Sequence, residues 1–141
     1  MKKLLALVFV LALATMAPAA VKDCGFFTAD LPEGWSLQEI DKNVSALVAP
    51  DKTLAFYVSS MDAEGHKLAE IANALCAQHQ GTDFAKMEGE GEAYEYKAVV
   101  NGAPTYVQIF ELGEGKVGVI SISGDHESDL ATEIFNSIEF K

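Results

Sequence analysis

The chain has 141 residues, of which 10 are Lys, none Arg, 21 acidic and 3 His; its net charge is −11 and half of it is hydrophobic. So acidic a surface without arginine excludes nucleic acid and anionic membranes as partners, because phosphate recognition rests on clustered cationic side chains and on the guanidinium fork. The length suits one domain with one core rather than two.

The chain opens with the basic head Met1-Lys2-Lys3, an unbroken apolar run from Leu4 to Ala14, and Ala17-Pro18-Ala19 with small residues at its first and third positions. That is the pattern of a secretory signal peptide over residues 1–19. The apolar run is well short of the roughly 20 residues that span a bilayer. A single domain over residues 20–141 is therefore expected, periplasmic or secreted, with no membrane insertion after cleavage. Cys24 is not placed to receive a lipid, since Val21-Lys22-Asp23 precede it.

An exported chain favours pairing of its two cysteines, so a disulfide between Cys24 and Cys76 is expected, with free thiols or an intermolecular link as the alternative. Neither lies in a Cys-x-x-Cys pair, which removes a thioredoxin-like redox role.

Gly25 to Asp30 reads as a strand ended by the breakers Leu31-Pro32-Glu33-Gly34, and Trp35 to Gln38 as the next. Val44 to Ala49 and Thr53 to Ser60 form a hairpin around Pro50-Asp51, with Leu54, Phe56 and Val58 on one face by period two. From His66 to His79 the period changes: Leu68, Ile71, Ala72, Leu75 and His79 recur at three and four residue steps, predicting an amphipathic helix that Gly81 stops.

Phe84 to Glu88, Glu92 to Val100, Thr105 to Leu112 and Lys116 to Ser123 read as four further strands. Asn101-Gly102 and Gly113-Glu114-Gly115 supply the last two turns. Pro104 weakens pairing beside the first of them. Along the last strand Val117 and Val119 alternate with Gly118, Ile120 and Ile122, so each face of the sheet needs a cover. The covers expected are the first helix and a second over Glu127 to Ser137, capped by Asp125 or a neighbouring polar group, before a final short strand at Ile138 to Lys141.

Several motifs could carry chemistry. Gly113-Glu114-Gly115-Lys116-Val117-Gly118 matches G-x-G-x-x-G, yet a strand and not a helix follows, so no helix N-terminus is available for a pyrophosphate and the hairpin reading stands. Glu88, Glu90, Glu92 and Glu95 concentrate carboxylates on an expected loop that could hold a hard cation, although the spacing is not that of an EF-hand and a solvated turn is the preferred reading. Asp125, His126, Glu127 and Asp129 are accounted for as a helix start. His66 and His79 lie near opposite ends of one helix, too far apart to share a metal.

No Ser stands in G-x-S-x-G form, Ser121 and Ser123 alternate along a strand, and either Cys would be disabled by a bridge. The many carboxylates single out no acid–base pair. Tyr94, Tyr96, Tyr106 and Phe110 read as core and cross-strand packing, with a ligand pocket between sheet and helix as the alternative.

The order of elements, with Asp30-Leu31-Pro32-Glu33-Gly34-Trp35 at the head and Phe135-Asn136-Ser137-Ile138 at the tail, resembles the PsbP-like fold over the whole exported chain. That group includes the PsbP subunit of photosystem II, DcrB-type exported bacterial proteins and a Ran-binding nuclear import factor. The resemblance implies an α+β protein of α/β/α sandwich type, a central antiparallel sheet flanked by two helices, that acts through contacts with larger assemblies. It carries over no binding residue. The expected function is thus a non-enzymatic accessory or partner-binding protein of the bacterial cell envelope, without a cofactor. The alternatives are a cation or small-ligand binder using the acidic loops, and a hydrolase.

Overall fold

The computed structural model describes residues 19–141, so the signal-peptide reading lies almost wholly outside the described residues. Among the described residues, ten strands and two helices occur in the order β1 (Ala19–Asp23), β2 (Phe27–Pro32), β3 (Ser36–Asp41), β4 (Val44–Val48), β5 (Leu54–Asp62), α1 (Leu68–Gln78), β6 (Thr82–Lys86), β7 (Ala93–Val100), β8 (Ala103–Gly113), β9 (Lys116–Gly124), α2 (Asp129–Ser137) and β10 (Glu139–Phe140).

The strands make two antiparallel sheets, one of order β3-β4-β5-β9-β8-β7-β6 and one of order β1-β2-β10. This overturns the α/β/α sandwich: the fold is mostly β, and a second sheet occupies much of the layer that a helix alone was expected to fill. The physical reason lies in β2. Phe27, Ala29 and Leu31 point inward by period two and are at most 5 % exposed, so this strand buries a full apolar face and needs sheet neighbours for its backbone. It finds them in β1, before it in the chain, and in β10 at the far end, where Phe140 pairs with Phe27.

The local signals hold. At the β7–β8 turn Asn101 and Gly102 both take positive φ, 53° and 79°, as a two-residue type I′ hairpin requires. The glycine-rich stretch at Gly113 is the β8–β9 hairpin turn. Helix α1 gains from the Glu70 carboxylate, which accepts the Lys67 N–H at 2.9 Å. Helix α2 is capped by Ser128, whose Oγ accepts the Ala131 N–H at 3.2 Å, rather than by Asp125.

The core divides in two, one part on each face of the seven-stranded sheet. Strand β9 shows the division: Ile120 and Ile122 join Phe27, Leu31, Trp35, Leu47, Phe56 and Ile134 under α2 and the small sheet. Val117 and Val119 join Tyr94, Tyr96, Ile109 and Leu68 under α1. Cys24 belongs to the first cluster and Cys76 packs against the second, with the sheet between them. The expected Cys24–Cys76 bridge is accordingly not formed, and both are free thiols. Burial, with Asp23 beside it, pushes the Cys24 thiol pKa up, which keeps it unreactive.

The motif at the chain's tail also finds a role here. Ser137 Oγ accepts the Asp30 N–H at 2.8 Å and donates to the Ile134 carbonyl at 2.7 Å, tying the end of α2 to β2 where β10 no longer pairs.

One polar group on α2 is left short. Glu133 Oε2 is buried without a hydrogen-bond partner, and burial first, then the charges of Asp30 and Asp129, raise its pKa. A carboxyl whose folded pKa is raised stabilises the fold below its unfolded value, about pH 4, and loses that contribution as pH rises through the folded value. Glu133→Gln is therefore expected to stabilise the protein at neutral pH, by about 0.5 kcal/mol once solvent screening is allowed for. The advantage should shrink toward about pH 4. Paired urea titrations at the two pH values check this; an advantage that does not depend on pH would refute it.

Candidate functional site

The two covers of the seven-stranded sheet lie diagonally. Helix α1 packs over β6, β7 and β8 on one face, while α2 and the small sheet pack over β4, β5 and β9 on the other. Each face consequently has an open half. On the α2 face the open half is β7–β8, and a cleft of about 670 Å³ forms where the strands run out from under the helix.

Register determines what the cleft displays. Lys97 pairs with Tyr106 and Tyr106 with Ile122; Glu95 pairs with Gln108 and Gln108 with Ile120. Paired residues in an antiparallel sheet point to the same side, so Lys97, Tyr106, Glu95 and Gln108 share the face on which Ile120 and Ile122 are buried. Beyond the cover they become the cleft floor. His126, Glu127, Thr132 and Asn136 form the opposite wall, on α2 and the turn before it.

The floor is internally ordered. Tyr106 donates its hydroxyl to Glu95 Oε1 at 2.6 Å, and Gln108 Nε2 donates to the same hydroxyl at 2.8 Å. The His126 ring stacks on Tyr106 with centroids 4.5 Å apart and planes 7° from parallel. Burial, reinforced by the bond to Glu95, pushes the Tyr106 pKa up to about 12, so the phenol stays a donor and is no base or nucleophile. This arrangement can recognise donors, cations and apolar groups. It contains no activated nucleophile and no hydrogen-bonded nucleophile–base pair of the kind covalent catalysis needs.

The residues singled out in the sequence are scattered. Glu88 and Glu90 are exposed in the β6–β7 loop, Glu92 accepts the Tyr94 hydroxyl at 2.7 Å, and Glu95 belongs to the cleft network. Among the described residues no three His, Cys, Asp or Glu side chains gather as metal ligands would. A shallow depression of about 450 Å³ lies at this loop, and Lys86 is part of its lining beside Glu88 and Glu92. His79 Nδ1 lies 2.6 Å from the Tyr96 hydroxyl, and His66 is exposed beside Glu70.

Sequence reasoning missed the cleft. It read Tyr106 as core and His126 as part of a helix start, and the signal that could have joined them was the same-face alternation Glu95-Lys97 opposite Tyr106-Gln108. Among the described residues no helix is long and apolar enough to cross a membrane.

No family model matches the chain, and no curated protein matches it in sequence. Among solved structures it is similar to a crystal structure from Bacteroides thetaiotaomicron VPI-5482, with a TM-score of 0.53 and 13 % identity over 89 % of this chain and 49 % of that one. This likeness shows a shared fold, and the chain spans about half the length of the Bacteroides protein. It is also similar to LpqN, described as involved in cell envelope biogenesis of Mycobacterium tuberculosis, with a TM-score of 0.46 and 16 % identity over 87 % of this chain and 90 % of that one.

Proposed function

We propose that this is an exported, non-enzymatic accessory protein of the cell envelope that holds a basic segment of a partner protein in the cleft between α2 and β7–β8. The observation that carries the reading is the ordered floor of that cleft: Glu95, Tyr106 and Gln108 are already hydrogen-bonded to one another. A partner then need not bear the cost of ordering them on binding. Apolar surface from Phe135 and Met87 lies beside the carboxylates of Glu95 and Glu127, which outnumber the one lysine of the cleft, Lys97, a mixture that suits a segment carrying both basic and apolar side chains. The net charge of −11 would steer such a partner toward the domain. The leader-like first 19 residues support a meeting in the envelope, and the PsbP-like resemblance of Asp30 to Trp35 and Phe135 to Ile138 fits an accessory role.

A photo-crosslinking residue at Thr132, on the cleft wall, should give discrete adducts with a basic envelope protein. The same residue at Asn73, exposed on α1 across the sheet, should not. The adduct should fall several-fold as ionic strength rises toward about 0.5 M, where screening is nearly complete within a few Å. Equal labelling from both positions, or an adduct indifferent to salt, would sink the reading.

A further inference from the structure

The diagonal cover leaves a second open half, on the α1 face over β5 and β9, and its chemistry is unlike the rest of the molecule. A depression of about 360 Å³ lies there, within the roughly 300–1,000 Å³ of small-molecule sites. Ser121 and Ser123 of β9, Thr105 of β8 and Tyr57 of β5 line it, with His79 at the end of α1 and Asn101 at the β7–β8 turn. No Lys, Asp or Glu lines it, in a chain that carries 31 such residues.

The neutrality extends along the sheet. Gln38, Ala46, Tyr57, Ser121 and Val107 are successive neighbours across five strands, and Ser36, Val48, Ala55, Ser123 and Thr105 form the next row. Both rows face the α1 side and neither contains a charge. Tyr57 stands among them 43 % exposed, enough to offer a ring face.

The composition discriminates among ligand classes. An anion would find no lysine or arginine, only the His79 ring, and would meet the field of an acidic protein. A cation would find no carboxylate. Val100, Ala103 and Val107 give the depression apolar surface and the Thr105 hydroxyl already donates to the Ala103 carbonyl at 3.1 Å, but a wholly aliphatic ligand would leave the Ser121 and Ser123 hydroxyls that it covers without partners. Hydroxyls that donate and accept match a ligand whose own hydroxyls do both, and the aromatic face of Tyr57 with its polar tip suits the C–H side of a sugar ring.

We infer that this face binds a neutral saccharide, laid across β5 and β9 with a ring on Tyr57. The site is separate from the α2 cleft and stands or falls independently of it.

Amide shift mapping by NMR with maltotriose, cellotriose and N,N′-diacetylchitobiose tests it, each at about 10 mM, with glucuronate and a neutral Gly-Ser peptide as controls. At least one neutral sugar should shift Tyr57, Ser121 and Ser123, saturating with a Kd of about 1 mM or tighter. Tyr57→Ala should weaken that binding at least about tenfold, and Ser121→Val, which keeps the strand but removes a hydroxyl, by several-fold. Neither variant should alter crosslinking from Thr132. The inference is overturned if no saccharide shifts these amides, if the shifts survive Tyr57→Ala, if they fall in the α2 cleft instead, or if glucuronate or the Gly-Ser peptide reproduces them.

Discussion

Phe27→Ala is expected to cost about 4 kcal/mol, the scale of emptying a fully buried phenylalanine site, and to lower the melting temperature by about 15 °C in a domain of this size. Phe27 is 0 % exposed. Its ring meets Phe26 edge-on at 4.9 Å and lies 6.2 Å from Phe140, so removing it leaves a cavity where the small sheet, α2 and the main sheet converge. The substitution tests whether the three-stranded sheet is an integral layer of the fold. Val21→Ala, on the neighbouring strand but 74 % exposed, serves as the control and should stay within about 0.5 kcal/mol of the parent. Urea unfolding of the two variants decides the matter. A loss below about 1 kcal/mol at Phe27 would mean that the layer folds and unfolds apart from the main core.

Gly124→Ala is expected to destabilise by about 3 kcal/mol. Gly124 ends β9 opposite Leu54 with φ at +110°, and a Cβ there would collide with the Thr53 carbonyl oxygen, a backbone atom that cannot rotate away. Conformational strain and steric overlap therefore add. Gly102 separates them, because its φ is +79° but a Cβ there would meet nothing within 4 Å. Gly102→Ala should consequently lose only about 1 kcal/mol, the backbone part alone. Thermal melts of both variants check the pair, and equal losses would show that the approach of β9 to Thr53 contributes nothing.

What could be read along the chain follows from the range of the interactions involved. The two helices, the Asn101-Gly102 hairpin and the turn at Gly113 to Gly115 depend on residues within a few positions of one another, and period and turn chemistry are visible at that distance. The same locality explains why the G-x-G-x-x-G match could be set aside from the sequence: a strand follows it. Strand β1 was missed because Ala19–Asp23 carries one β-branched residue, the exposed Val21, among alanines and charged residues, with no alternation of its own. It is a strand only because β2 offers it an edge.

The candidate site was less legible than the fold. Each cleft residue has an unremarkable local reading: Glu95 as one of several loop carboxylates, Tyr106 as a packed aromatic, His126 as part of a helix start. Their meaning comes from register across β7 and β8 and from where α2 stops. The Cys24–Cys76 expectation failed for a related reason. Compartment argued for a bridge, but the sheet separates the two clusters that hold the thiols.

The sequence by itself determined the acidity, the leader-like start and the alternation of strands and helices. Only the tertiary structure decided that the strands divide into two sheets, that β10 returns to β2, and that the covers lie diagonally so that each face keeps one open half. The division falls there because hydrophobic periodicity specifies which side of an element is buried. It does not specify what buries it, and that choice is made between residues as far apart in the chain as Phe27 and Phe140.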